Sequence, residues 1–217
     1  MARWLVAGAC AIAVMACGSS GPSTAASTPK PQPAQSIAQN SADFPDLLKC
    51  AESGSYDSYL LAEQSKSPDQ YKTDKKTWDD LKAAGANDSF IAAYADSNTD
   101  CNQFASSNLS GKVSYVFAIR FKDKTSAAAS YTTQQAQFHL TDSDVANLKA
   151  LGGKVVQGSD TGLGANSTTV SFSVAGAGVS LYIALWQTKA FEVAVLVYNL
   201  SPASGSAAAT KINGRVR

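Results

Sequence analysis

The chain has 217 residues, and its 18 basic and 17 acidic side chains give a formal net charge of +1. Nucleic-acid-binding proteins normally carry a basic excess or a basic stripe. The short basic group Lys72, Lys75 and Lys76 is interleaved with acidic residues, so composition and charge argue against a nucleic-acid partner.

The first stretch of the chain has the layout of a secretory signal. Arg3 precedes an apolar run over residues 5–16, and that run ends at a cysteine followed by Gly-Ser-Ser-Gly. A transmembrane helix needs about 20 apolar residues, and this run is much shorter. We therefore predict a signal peptide over residues 1–16 rather than a membrane-spanning helix.

The sequence Val14-Met15-Ala16-Cys17 resembles the lipobox of bacterial lipoproteins. This resemblance covers only the leader. It implies that a diacylglycerol alkylates the thiol of Cys17 and that the peptide bond before Cys17 is then cleaved. Palmitate-type chains would hold the protein on the extracytoplasmic side of the cell membrane, since two or three chains anchor where one does not. The alternatives are plain secretion, with cleavage near Ala16 or after Ala9, and acylation of Cys10, which would shorten the apolar run.

Residues 17–42 comprise the lipidated cysteine and a segment rich in Pro, Ser and Ala with almost no bulky apolar side chains. Such a segment cannot bury enough apolar surface to offset its ordering entropy. We expect a disordered linker here. One domain over residues 43–217 would follow, because its length matches a single domain.

The first part of that domain, residues 43–109, is charged and helix-forming in composition. We predict short helices that begin at Asp43, at residue 56, at residue 74 with a stop at Gly85, and at Asp88. This part contains Cys50 and Cys101, the two cysteines that remain once Cys10 is removed and Cys17 is lipidated.

An even number of cysteines in an exported domain favours pairing. We expect a Cys50–Cys101 disulfide, which would stabilise the fold by roughly 4 kcal/mol in the chain-entropy model. A redox-active pair and a metal site are the functional alternatives. The absence of a Cys-x-x-Cys motif and the single histidine give neither of them support.

The second part, residues 110–217, alternates apolar and polar residues with the period of a strand over 113–121. Two helices should follow, the second opened by a capping box of Thr141 and Asp144. A short strand at 154–157 is a further option, before three strands at 168–174, 179–186 and 191–198 and a final helix. The predicted fold class is α+β: an antiparallel sheet of about four strands in β-α-α-β-β-β-α order, packed with helices and preceded by a disulfide-linked helical segment.

The bulkiest rows of the last three strands, including Val193, Val195 and Val197 with Leu181 and Ile183, suggest one core face. The opposite rows are also apolar and aromatic, and a face of this kind is rarely left open. Either the helical part covers it, or it lines a groove for a small apolar ligand or an envelope protein. The predicted contact residues of such a groove are Tyr182, Trp186, Leu196 and Tyr198.

Catalytic motifs are missing from the sequence. No Gly-x-Ser-x-Gly elbow occurs, His139 is the single histidine, and no set of residues has metal-ligand spacing. Asp142 and Asp144 suit a helix start. The glycine-rich stretch around Asp160 is neither a P-loop nor a dinucleotide motif, although its amides and side chains are an alternative lining for one end of a binding site.

Three function classes follow from these observations. We expect a tethered, non-enzymatic binding or sensing module of the bacterial envelope, with no cofactor and no metal. An assembly partner in an envelope protein complex is the first alternative. A hydrolase or transferase is the second alternative, and it would need converging polar groups near His139, Asp160 or the Asp142/Asp144 pair.

Overall fold

One seven-stranded antiparallel sheet, in the order β1-β2-β3-β7-β6-β5-β4, organises the chain from Gln32 onward. The computed structural model describes residues 30–103, 111–137, 141–174 and 178–217. The strands are β1 (Leu48–Lys49), β2 (Ala86–Ala95), β3 (Val113–Phe121), β4 (Lys154–Gln157), β5 (Ser167–Val174), β6 (Val179–Thr188) and β7 (Phe191–Tyr198). The predicted signal peptide, Cys17 and the first part of the expected linker lie outside the described residues.

Helices pack on both faces of this sheet. They are α1 (Ala34–Ala38), α2 (Tyr56–Lys66), α3 (Pro68–Ala83), α4 (Asn98–Gln103), α5 (Lys124–Gln137), α6 (Asp142–Ala150) and α7 (Pro202–Arg215). Helices α1 and α7 cover one face, which we call the closed face. Helices α2, α3 and α5 pack on the other face. No described helix is long and apolar enough to cross a membrane.

The closed face is fully buried at its centre. Ala184, Val195 and Val116 stand side by side on β6, β7 and β3, and each is fully buried. Helix α7 approaches the sheet at Gly205, where an added Cβ would lie 2.5 Å from Cδ1 of Tyr182. A side chain at position 205 would therefore push the helix away from the sheet.

The N-terminal segment is part of this core, so the folded unit begins earlier than we predicted. Ala34, Ile37 and Ala38 are fully buried, although they lie inside the expected linker. The backbone N–H of Ala34 donates to Oδ2 of Asp88 at 2.8 Å. The short apolar pattern of α1 gains its stability from the sheet beneath it, and composition alone does not reveal that contact.

Arg215 joins the two ends of the folded unit. Its guanidinium donates to both carboxylate oxygens of Asp43, at 2.7 and 2.6 Å, and to the backbone oxygen of Ile37. Paired donors of this kind match a carboxylate in geometry and charge. The last helix therefore holds the first one against the sheet.

The opposite face is filled by aromatic packing near β2 and β3. Tyr56 of α2 contacts Trp78 of α3 edge-on, with ring centroids 5.4 Å apart, and Phe117 of β3 at 4.8 Å. The indole N–H of Trp78 donates to Asp57 at 2.9 Å. These contacts seat the α2–α3 pair on the sheet.

The predicted disulfide is confirmed. Cys50 and Cys101 are bonded, with Cα atoms 5.4 Å apart and a sequence separation of 51. The bond ties the end of β1 to α4, at the edge of the sheet. The expected mixture of helix and antiparallel sheet is also confirmed.

The predicted number of strands was wrong. The segment that begins at Asp88, expected as a helix, belongs to β2, which pairs with β3 over its whole length. The helix expected from Asp43 is a short 3-10 turn followed by β1. Alanine-rich sequence has no strong strand propensity, and the pairing with β3 outweighs the local preference.

From β3 onward the predicted order holds, and the short strand that was an option at 154–157 is present as β4 between α6 and β5. Thr141 and Asp144 form the predicted capping box at the start of α6. The expected loop between β5 and β6 falls largely on residues 175–177, outside the described part of the chain.

Candidate functional site

A groove of about 660 Å³ lies between the sheet and the helices α5 and α6. This volume is within the range of roughly 300 to 1,000 Å³ that small-molecule sites occupy. Its lining residues are Thr132, Gln135, Ala136, Asp142, Val145, Lys149, Val155, Gln157, Thr168 and Leu185.

Strand pairing builds the floor of the groove. Gln157 of β4, Thr168 of β5 and Leu185 of β6 are register partners, so their side chains stand in one row on one face. The floor therefore changes from polar at β4 and β5 to apolar at β6.

Helix α5 forms one wall and is held to the floor by hydrogen bonds. The hydroxyls of Tyr131 and Thr168 lie 3.2 Å apart, and Nε2 of Gln135 donates to Oγ1 of Thr168 at 3.3 Å. Thr132 donates its own hydroxyl to the backbone oxygen of Ala128. The wall thus carries amide and hydroxyl groups toward the groove.

Helix α6 forms the other wall. Its first turn is fixed by the capping box, in which Oγ1 of Thr141 accepts from the backbone N–H of Asp144 at 3.2 Å. The helix places Asp142 and Lys149 on the groove with Val145 between them. The lining therefore holds one anion and one cation.

Apolar side chains continue the floor beyond the groove. The next rows along β4 to β7 on the same face form what we call the apolar strip: Val155, Val170, Phe172, Val174, Val179, Leu181, Ile183, Leu196 and Tyr198. Val170 is buried, and the others are half-buried. Helices cover this part of the face less completely than the closed face.

The four predicted contact residues do not share a face. Tyr198 pairs with Leu181, and Leu196 pairs with Ile183, so both belong to the apolar strip. Tyr182 and Trp186 point to the closed face and are 5% and 0% exposed.

The structure also gives the reason for this error. Thr188 pairs with Phe191 across a two-residue turn, so odd-numbered residues of β6 face the same side as even-numbered residues of β7. Our grouping of Val193, Val195 and Val197 with Leu181 and Ile183 followed side-chain bulk and ignored this parity. Trp186 instead donates its indole N–H to Oδ1 of Asn213 on α7, at 3.1 Å.

The residues considered for catalysis are scattered. Asp142 lines the groove, Asp144 caps α6, and Asp160 is exposed in the turn after β4. His139 lies outside the described residues. Among the described residues, no group of three or more His, Cys, Asp or Glu side chains is placed to hold a metal ion.

Two buried carboxyl groups were missed by sequence reasoning. Glu192 of β7 is 3% exposed beneath α5, and its Oε2 has no hydrogen-bond partner among the described residues. Burial raises the pKa of Glu192 to about 7, and an interaction with the Ser130 hydroxyl opposes that rise. The signal was available, because Glu192 is an acidic residue inside the otherwise apolar run Phe191–Tyr198.

Glu63 of α2 is the second buried carboxyl, at 1% exposed. Its Oε1 accepts from the hydroxyl of Tyr59 at 3.2 Å. Burial and the nearby Asp74 carboxylate raise the pKa of Glu63 to about 7. Glu63 does not line the groove.

The chain matches no protein-family model and no curated protein sequence.

Proposed function

We propose that this chain is a membrane-tethered, extracytoplasmic bacterial lipoprotein whose folded domain binds a ligand in the groove between α5, α6 and strands β4 to β6. The observation that carries the proposal is the groove, with its volume of about 660 Å³ and its mixed polar and apolar lining. The tether rests on the leader sequence that ends at Cys17.

The chemistry of the lining supports binding rather than catalysis. Catalysis by a hydroxyl requires a base within hydrogen-bond reach of it. The Thr168 hydroxyl is engaged with Tyr131 and Gln135, and the Thr132 hydroxyl donates to backbone. Neither is paired with a carboxylate or an imidazole in the described structure. Amides and hydroxyls beside apolar side chains instead suit recognition of a ligand with both kinds of surface.

A groove-filling variant tests the proposal. Ala136→Trp places a large side chain in the groove, because Ala136 lines it from α5. Ala62→Trp is the matched control, since Ala62 is an exposed helical alanine on α2 that does not line the groove. We expect native mass spectrometry of the full chain, purified from its membrane, to show a retained small molecule in the wild type and in Ala62→Trp, and its loss in Ala136→Trp.

Three results would count against this proposal. Equal retention in both tryptophan variants would place the ligand elsewhere. A wild-type protein that retains nothing, and shows no thermal shift with envelope lipids or glycans, would leave the groove without a ligand. A co-purifying envelope protein in place of a small molecule would favour the assembly role.

A further inference from the structure

The apolar strip continues directly from the groove, and this continuity constrains the shape of the ligand. Leu185 forms the apolar end of the groove floor, and Ile183, Leu181 and Val179 follow it on the same face of β6. Six residue steps of about 3.3 Å separate Leu185 from Val179, so the strip adds roughly 20 Å to the groove.

That length is sufficient for a single lipid chain. The hydrocarbon core of a bilayer is about 30 Å thick, so one acyl chain in one leaflet extends roughly 15 Å. Apart from the buried Val170, the side chains of the strip are half-buried rather than enclosed, which suits a linear chain that lies along the strands. Its side chains offer no hydrogen-bonding group apart from the Tyr198 hydroxyl.

The polar end of the site has balanced charge. Asp142 and Lys149 contribute one charge of each sign, and the remaining polar groups are the uncharged side chains of Thr132, Gln135, Gln157 and Thr168. An anionic head group would lose part of its hydration and would lie near a carboxylate as well as an ammonium group. Hydroxyls of a neutral head could donate to and accept from these uncharged groups.

We infer that the ligand of this groove is a single-chain amphiphile with an uncharged polar head, of which a monoacylglycerol is the simplest example. The inference rests on the proposed function and adds the chemical class of the ligand. The head lies among Gln135, Gln157 and Thr168, and the acyl chain follows the apolar strip past Ile183 toward Leu181.

Titration calorimetry with the full wild-type polypeptide tests the acyl chain and the polar head of the ligand separately. The probes are monobutyrylglycerol, monolauroylglycerol, monopalmitoylglycerol and lauric acid. We expect affinity to rise with chain length, by at most about fourfold per methylene, because a fully buried methylene contributes about 0.8 kcal/mol. We also expect lauric acid, which is anionic at neutral pH, to bind at least about tenfold more weakly than monolauroylglycerol, equivalent to about 1.4 kcal/mol.

Variants with matched controls locate the acyl-chain end and the head-group end of the binding site. Ile183→Glu places a carboxylate in the middle of the strip and should weaken binding of monolauroylglycerol at least about tenfold, a loss of about 1.4 kcal/mol. Leu61→Glu, at a leucine of α2 that is 70% exposed, should leave it unchanged. Asp142→Asn leaves Lys149 as the single charge of the lining, so it should narrow the difference between lauric acid and monolauroylglycerol.

The outcomes separate this inference from the proposed function. The inference would be overturned by an affinity that does not change with acyl-chain length, or by equal affinities for lauric acid and monolauroylglycerol. It would also be overturned if Asp142→Asn had no effect on the head-group preference. Binding of a soluble glycan that Ala136→Trp abolishes, with no binding of any acyl probe, would also overturn it and leave the proposed function standing. If no probe binds and no retained molecule is found, the inference and the proposed function both fail. The wild-type series and Asp142→Asn remain informative even if Ile183→Glu does not fold.

Discussion

Replacement of Glu192 by glutamine should make the protein's stability less sensitive to pH. Glu192 is 3% exposed beneath α5, and its Oε2 has no hydrogen-bond partner among the described residues. Burial raises the pKa of this carboxyl from 4.5 to about 7. Glutamine has almost the same shape and does not ionise, so Glu192→Gln removes the titration while it preserves the packing.

The size of the effect follows from these pKa values. Below pH 4.5 the carboxyl is protonated in both the folded and the unfolded chain, and above pH 7 it is ionised in both. Between these values the folded chain keeps the proton that the unfolded chain releases, so the free energy of unfolding falls as pH rises. A difference of about 2.5 pKa units corresponds to about 3 kcal/mol lost over this window.

Urea unfolding followed by circular dichroism, at pH 4.5 and at about pH 8, measures the effect. The free energy of unfolding of Glu192→Gln relative to wild type should rise by up to about 3 kcal/mol between the two pH values. Asp160→Asn, which removes an exposed carboxylate, supplies the baseline. A Glu192→Gln difference that is the same at both pH values would refute the reasoning, because it would mean that the carboxyl is hydrated or paired in the folded state.

Other substitutions test the packing, the disulfide and the tether. Gly205→Ala should destabilise the fold by about 1 to 3 kcal/mol in the same urea assay, because the added Cβ clashes with Tyr182 beneath α7. At Gly214 an added Cβ meets nothing within 4 Å, so Gly214→Ala should be neutral or stabilising by up to about 1 kcal/mol. Equal effects of the two substitutions would contradict this packing. Replacement of Cys50 and Cys101 by alanine should lower the free energy of unfolding by roughly 4 kcal/mol, since the bond closes a loop of 51 residues, and a loss below about 1 kcal/mol would count against the loop-entropy account. Intact-mass analysis of the membrane-purified protein should show an acylated chain that begins at Cys17, with no acyl adduct in Cys17→Ala, whereas an intact Met1 start in the wild type would exclude the lipoprotein assignment.

The two faces of the sheet differ in how completely helices cover them. On the closed face, α1 and α7 bury a continuous apolar layer, and Arg215 holds both of them in place through Asp43. On the other face, α2, α3 and α5 fill the region of β2 and β3, and the apolar strip on β4 to β7 stays half-buried except at Val170. This asymmetry explains why we place the ligand beside α5 and α6.

Local sequence pattern correctly predicted several elements of the fold. The period of two in residues 113–121, the capping box of Thr141 and Asp144, and the closely spaced last three strands all predicted elements that the structure contains. The even number of available cysteines predicted the bond between Cys50 and Cys101. Apart from the disulfide, each of these features depends on residues near one another in sequence.

Tertiary structure alone decided the features that depend on distant partners. Strand β2 forms because β3 pairs with it, and α1 is ordered because the sheet buries Ile37. The groove exists because β4 and β5 bring Gln157 beside Thr168 while α5 and α6 stand on either side. Strand register decided that Tyr182 lies in the core while Tyr198 lies on the apolar strip. Each step along a strand reverses the side-chain direction, so only the pairing with neighbouring strands shows which side chains share a covered face.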